Sequence, residues 1–235
     1  MSDEWLERFL NNGFEKIEGW VDRGVVGVLK AVNQIQSELA ASGGVLEIGV
    51  HHGRFFILLN GFLESPNIKS YAIDLFGRQE RNIDKSGCGN EDIFKANLAL
   101  YDRHHGTNVV ILSGDSTRLR TFDLHMFSTA PPRMISIDGG HTIEHTLSDL
   151  KLSEGVITDG GVVILDDVIN PLWPGVIEGA LLYLGGRPTL WPVFMGYNKL
   201  ILVPMSVHSF YYSELAQRVA VRKSVSLAGY RMWVA

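Results

Sequence analysis

Five short apolar runs, at 45–50 (VLEIGV), 70–75 (SYAIDL), 108–112 (NVVIL), 133–138 (RMISID) and 161–166 (GVVILD), recur along the chain with segments of helical length between them. Apolar runs of this length read as strands buried on both faces, and the helices between them impose parallel pairing, since a parallel connection needs a crossover. The pattern predicts an α/β domain with helices near 53–64, 91–103, 116–124, 142–157 and 174–185 on both faces of one sheet. Beyond residue 185 the rhythm changes. LWPVFM and KLILVP flank Gly196-Tyr197-Asn198, a spacing that makes an antiparallel hairpin.

Ahead of the sheet, residues 3–18 and Val25 to Leu39 carry apolar side chains at three- and four-residue spacings, which predicts two amphipathic helices ending near Ser42-Gly43-Gly44. The chain thus divides into an N-terminal helical extension (1–43), the sheet domain (44–204) and a tail (205–235). The tail holds Tyr211, Tyr212, Tyr230 and Trp233, and reads either as a helix plus strand or as a contact in a homo-oligomer. Residues 77–90 (GRQERNIDKSGCGN) are polar and too long for a minimal connection, so they form a lid or a surface loop.

At 235 residues one large domain is expected. A net charge of −5 with no Lys/Arg block speaks against a long nucleic acid as partner and for a compact substrate. Cys88 is the sole cysteine, which excludes an internal disulfide and multi-thiolate metal sites and suits a reducing compartment. The acidic start MSDEWLERFL is unlike a secretory signal, and no apolar stretch reaches membrane-spanning length. The expectation is a cytoplasmic protein acting on a small molecule.

In an open parallel sheet, ligands sit beyond the carboxyl ends of the strands, near the point where strand order reverses. Here those ends are all polar. The first reads Glu47-Ile48-Gly49-Val50-His51-His52-Gly53, whose glycines permit a tight turn ahead of a helix N-terminus. Its G-x-x-x-G spacing is not the G-x-G-x-x-G of dinucleotide sites. Asp74 ends the second strand, where a carboxylate can accept both hydroxyls of a ribose. Asp115, followed by Ser116, ends the third, either near an adenine or simply as a helix cap.

These residues give the chain a resemblance to the class I S-adenosylmethionine-dependent methyltransferases over about residues 44–204. The resemblance implies a Rossmann-like sheet of five parallel strands closed by an antiparallel hairpin. It also implies that Glu47, Gly49, His51 and Gly53 hold the methionine part of S-adenosylmethionine, Asp74 the ribose, and Asp115 with Ser116 the adenine. His51 stands where a typical member has its second glycine.

Strands four and five end in Asp138-Gly139-Gly140-His141 and Asp166-Asp167. Three carboxylates and an imidazole brought into one crevice repel one another unless a cation compensates, and oxygen ligands favour a hard ion such as Mg2+. The arrangement resembles the metal-dependent O-methyltransferases of the catechol, caffeoyl-coenzyme A and macrocin types. That resemblance implies metal ligation by Asp138, Asp166 and Asp167, with Asp138 also beside the donor. His141 stands where a lysine base is found in the catechol type, and an imidazole can accept a proton near neutral pH. Trp173, in the loop Asn170-Pro171-Leu172-Trp173-Pro174, is a candidate wall of the acceptor pocket, or else packs on the sheet. The expected reaction is methyl transfer to a hydroxyl of a sugar, phenol or other natural product.

Three other readings fit parts of the pattern. A metal-dependent hydroxylase of the cephalosporin hydroxylase type would use a redox-active ion at the same carboxylates. A catalytically silent protein would bind S-adenosylmethionine without turnover. His141-Thr142-Ile143-Glu144-His145 also matches the H-x-x-E-H motif of inverted zinc peptidases.

Overall fold

A computed structural model describes residues 2–119 and 131–235. The expected parallel strands are present: β1 (Val45–Ile48), β2 (Ser70–Asp74), β3 (Val109–Ser113), β4 (Met134–Ile137) and β5 (Val162–Leu165). Every residue of β1, β4 and β5 is buried, as a strand covered by helices on both faces requires. The predicted hairpin also forms, from β6 (Leu190–Gly196) and β7 (Lys199–Pro204), turning through Tyr197 and Asn198 at φ of 56° and 62°.

The strand order is β3-β2-β1-β4-β5-β7-β6-β9-β8, in which β7 runs antiparallel to β5 and the first five strands are parallel. The order reverses at β1, which lies between β2 and β4. The crevice beyond their carboxyl ends is therefore where a ligand is expected.

The extension and the tail are joined to this sheet. α1 (Ser2–Asn12) is shorter than expected, ending at Gly13 before a 3-10 turn, and buries Trp5, Leu6 and Phe9 in the core shared with α2 (Val25–Glu38), α3 (Arg54–Asn60) and α4 (Glu91–Tyr101). The opposite face is covered by α5 (Ile143–Val156) and α6 (Pro174–Gly185). Of the helix expected at 116–124, Ser116–Arg118 forms one 3-10 turn, and residues 120–124 lie outside the described residues.

The tail forms α7 (His208–Arg218), whose fully buried Tyr211 donates to the Gly160 carbonyl at 2.7 Å, and a second hairpin, β8 (Lys223–Leu227) and β9 (Tyr230–Val234). β9 pairs with β6 in parallel, Phe194 opposite Trp233, and so extends the sheet to nine strands. Among the described residues no helix is long and apolar enough to cross a membrane.

Candidate active site

The turn after β1 is built from backbone that side chains rarely adopt. Gly49, His51 and Gly53 all have positive φ (84°, 53° and 92°). At Gly49 there is a second reason for glycine: a Cβ would lie 1.7 Å from the Asp138 carbonyl oxygen. The first strand end is thereby pressed against the fourth, and Asp138 N–H donates to the Ile48 carbonyl at 2.8 Å. His51 pays for its left-handed conformation by donating its N–H to Asp74 Oδ2 at 2.8 Å, while Phe76 N–H donates to Asp74 Oδ1 at 2.6 Å. Burial raises the Asp74 pKa, and these amides oppose the rise.

Glu47 lies beneath the turn, buried, accepting from Ser136 Oγ at 3.0 Å through Oε1 while Oε2 has no hydrogen-bond partner among the described residues. Burial, reinforced by the charge of Asp138, holds its pKa well above the usual carboxylate range. Asp115 accepts from Thr117 N–H and Oγ at 3.0 and 2.6 Å, so it caps the 3-10 turn while still facing the crevice beside Ser116. Glu47, Gly49, His51, Asp74, Asp115 and Ser116 line one cavity of about 530 Å³, a volume suited to a small cofactor.

At the other end of that cavity the structure brings together Asp138, His141 and Asp167, with one ligand atom from each lying within 4.8 Å of the others. His141 Nε2 is 3.1 Å from Asp167 Oδ2 and 3.6 Å from Asp138 Oδ1, and is buried without a hydrogen bond among the described residues. Asp167, at φ 61°, is held by Asn170 Nδ2 and Asn198 Nδ2, which donate to its other oxygen at 2.9 and 2.6 Å. Burial raises the Asp167 pKa, but His141 and the two amides outweigh it and lower it overall.

Asp166 is not part of this cluster. Its Oδ2 is paired with the buried ammonium of Lys199 on β7, and its Oδ1 accepts from Asp167 N–H at 2.9 Å. The expected trio of aspartates is thus not brought together: Asp138 and Asp167 converge on His141, while Asp166 faces the Lys199 ammonium.

Burial acts against the charge of the imidazole, while Asp138, Asp167 and Asp84 together push its pKa up, to about 11. Trp173 stacks on it, with ring centroids 4.6 Å apart and planes at 17°, so the indole lines the cavity while also packing against the core on that face of the sheet. The H-x-x-E-H pairing is absent: His141 precedes α5, which Thr142 caps, and His145 Nδ1 engages Thr142 Oγ at 2.9 Å.

Sequence reasoning missed Asp84. It lies in the polar loop 77–90, and its Oδ2 accepts both His141 N–H at 2.8 Å and His141 Nδ1–H at 2.7 Å. Ser86 Oγ donates to its other oxygen at 2.7 Å. The loop lies directly on the cofactor end as well, since a Cβ on Gly89 would be 2.9 Å from Asp74 Oδ1. Both ends of the cavity are thus covered by one segment.

A parallel sheet that reverses at β1, a glycine turn against β4 and a carboxylate ending β2 define the class I S-adenosylmethionine-dependent methyltransferase architecture. A family model described as a methyltransferase domain matches residues 46–168, just over half of the chain, and the protein belongs to that family. Among solved structures it is similar to CalS11, a TDP-rhamnose 3'-O-methyltransferase of calicheamicin biosynthesis (TM-score 0.55, 19% identity, 86% of this chain and 92% of that one). It is also similar to an O-methyltransferase from Bacillus cereus in complex with SAH (0.55, 19%, 85% and 90%) and to the O-methyltransferase NovP (0.55, 18%, 76% and 79%). At these identities the likeness concerns the fold. No curated protein matches the chain.

Proposed function

We propose that the protein transfers the methyl group of S-adenosylmethionine to a hydroxyl of a small molecule, with a divalent cation held by Asp138, His141 and Asp167. The observation that carries this reading is the buried Nε2 of His141, which makes no hydrogen bond among the described residues and faces the carboxylates of Asp138 and Asp167 in the cavity. An imidazole and two carboxylates are a donor set for Mg2+ or Mn2+. Glu47, with an orphaned buried oxygen, and Asp74, at the end of β2, suit the amine and ribose of the donor. The printed activities of CalS11, the Bacillus cereus enzyme and NovP, all O-methyltransferases, support a hydroxyl as acceptor.

The donor supplies an electrophilic methyl on a sulfonium, and a cation at the cluster supplies Lewis acidity that eases deprotonation of the hydroxyl. The chain's own residues align the two. Gly49 sets the approach of β1 to β4, Trp173 and His141 form one acceptor wall, and Asp138, the most open of the three cluster residues, is placed to take up the hydroxyl proton. Alignment of this kind supplies much of the rate in a bimolecular transfer.

The test is transfer of labelled methyl from S-adenosylmethionine to a panel of hydroxylated small molecules, before and after treatment with a chelator. Transfer lost on chelation, restored by Mg2+ or Mn2+, and reduced at least a hundredfold in Asp167→Asn supports the reading. Transfer indifferent to chelation removes the cation from it.

A further inference from the structure

The mouth of the cavity is rimmed by large apolar side chains that the fold leaves in water. Trp20 is 73% exposed, Ile83 59% and Leu172 74%. They come from three separate segments, namely the connection between α1 and α2, the loop after β2 and the loop after β5, yet all line the same cavity as His141 and Trp173. Single exposed apolar residues need no explanation, but several converging on the rim of one concave site mark a surface meant to be covered.

The charge inside the same cavity says what can cover it. Its described lining carries eight carboxylates against two guanidinium groups and no ammonium. Asp166 is paired with Lys199 and Asp115 with Arg118, while Asp84, Asp138 and Asp167 surround the single imidazole of His141, so the carboxylates still outnumber the cationic side chains that face them. Neither arginine is free to bind an anion deep inside. Arg54 donates to the Ile17 carbonyl at 2.6 Å and lies over the Phe14 ring, and Arg81 sits on the exposed loop 4.0 Å from Glu80. A crevice lined by one sign of charge focuses its field and repels ligands of that sign, while it suits a donor that carries a sulfonium.

We propose that the acceptor is an uncharged hydroxyl compound with an apolar body, its hydroxyl at the Asp138–His141–Asp167 cluster and its body against Trp173, Leu172, Ile83 and Trp20. Phosphorylated acceptors, including sugar nucleotides and coenzyme A thioesters, meet the carboxylates of the same crevice and bind more weakly. This rests on the methyltransferase reading and narrows its substrate class, setting the site apart from one built for a TDP-sugar.

Two probes with the same apolar body separate the terms: 2-naphthol and 2-naphthyl phosphate, titrated by fluorescence into the protein saturated with S-adenosylhomocysteine and Mg2+. Saturation by S-adenosylhomocysteine is established beforehand by calorimetry, so a failure of the methyltransferase reading shows at that step and not in the probe titrations. The expected result is at least tenfold tighter binding of 2-naphthol, a gap that narrows as NaCl is raised, and at least fivefold weaker 2-naphthol binding in Leu172→Asp. Because Leu172 is exposed, that variant keeps the fold. Equal or tighter binding of the phosphate, no binding of 2-naphthol, or 2-naphthol binding unchanged in Leu172→Asp would each overturn the proposal.

Discussion

Asp84 and His141 are joined twice across 57 residues of chain, through the His141 backbone N–H and through Nδ1, both bonds ending on one carboxylate oxygen. A carboxylate behind one ring nitrogen fixes the tautomer and turns the other nitrogen to its work. In this protein it turns Nε2 towards Asp138 and Asp167. The loop that carries Asp84 also lies against Asp74, so both ends of the cavity are completed by one segment.

Removal of that carboxylate should loosen the cluster without dismantling the sheet. Asp84→Ala is expected to weaken Mn2+ binding by about 10–100-fold, the usual cost of losing a carboxylate behind a ligating histidine. Calorimetric titration with Mn2+ checks this, and an unchanged affinity would mean that the clasp does not orient the ring.

Gly49→Ala forces a methyl to within 1.7 Å of the Asp138 carbonyl and into a backbone conformation at φ 84°. β1 and β4 must separate where the donor and acceptor ends meet. A loss on the order of 3 kcal/mol is expected in urea unfolding. Full stability in this variant would show that the two strand ends are not in close contact.

Lys199→Met leaves Asp166 buried without its counter-charge, which typically costs about 3–5 kcal/mol. The double variant Lys199→Met/Asp166→Asn removes both charges and should recover most of that loss. Equal stability of the single and double variants would indicate that Asp166 finds another partner.

Asp149 on α5 is buried, and burial pushes its pKa up to about 7 against the opposing effect of Ser116. In the unfolded chain it titrates near its ordinary value of 3.8, so between these values the folded state keeps a proton that the unfolded state releases. Its contribution to stability therefore falls as pH rises from about 4 to about 7 and is level above that. Asp149→Asn removes this loss. It should be more stable than the parent at pH 8, by at most about 4 kcal/mol less the cost of burying an amide, with the pH-dependent part of that gain gone below pH 4. Thermal unfolding at pH 4, 6 and 8 measures it, and a pH-independent difference would contradict the assignment.

The sheet was legible because β1, β4 and β5 are buried on both faces, and full burial leaves uninterrupted apolar runs in the sequence. β8 and β9 were not, since KSVSL is a half-exposed edge strand with a weak apolar signal. The strand-end carboxylates Asp74, Asp115 and Asp138 could be placed from their positions alone, and all three face the cavity. What failed were pairings set by tertiary contact. Lys199 looks like an ordinary polar residue opening a strand, and only the antiparallel pairing of β7 with β5 carries it to Asp166. Asp84 sits in a run of polar loop residues, where nothing in the local sequence separates a carboxylate that clasps His141 from one in solvent.

The central claim is that the crevice between β1, β2 and β4 binds S-adenosylmethionine. Calorimetric titration of the purified protein with S-adenosylmethionine, repeated on Asp74→Ala, tests it most directly. The account predicts saturable one-to-one binding that weakens at least tenfold in the variant while the variant remains folded by circular dichroism. Absence of saturable heat in the parent protein, or the same affinity in folded Asp74→Ala, would contradict it.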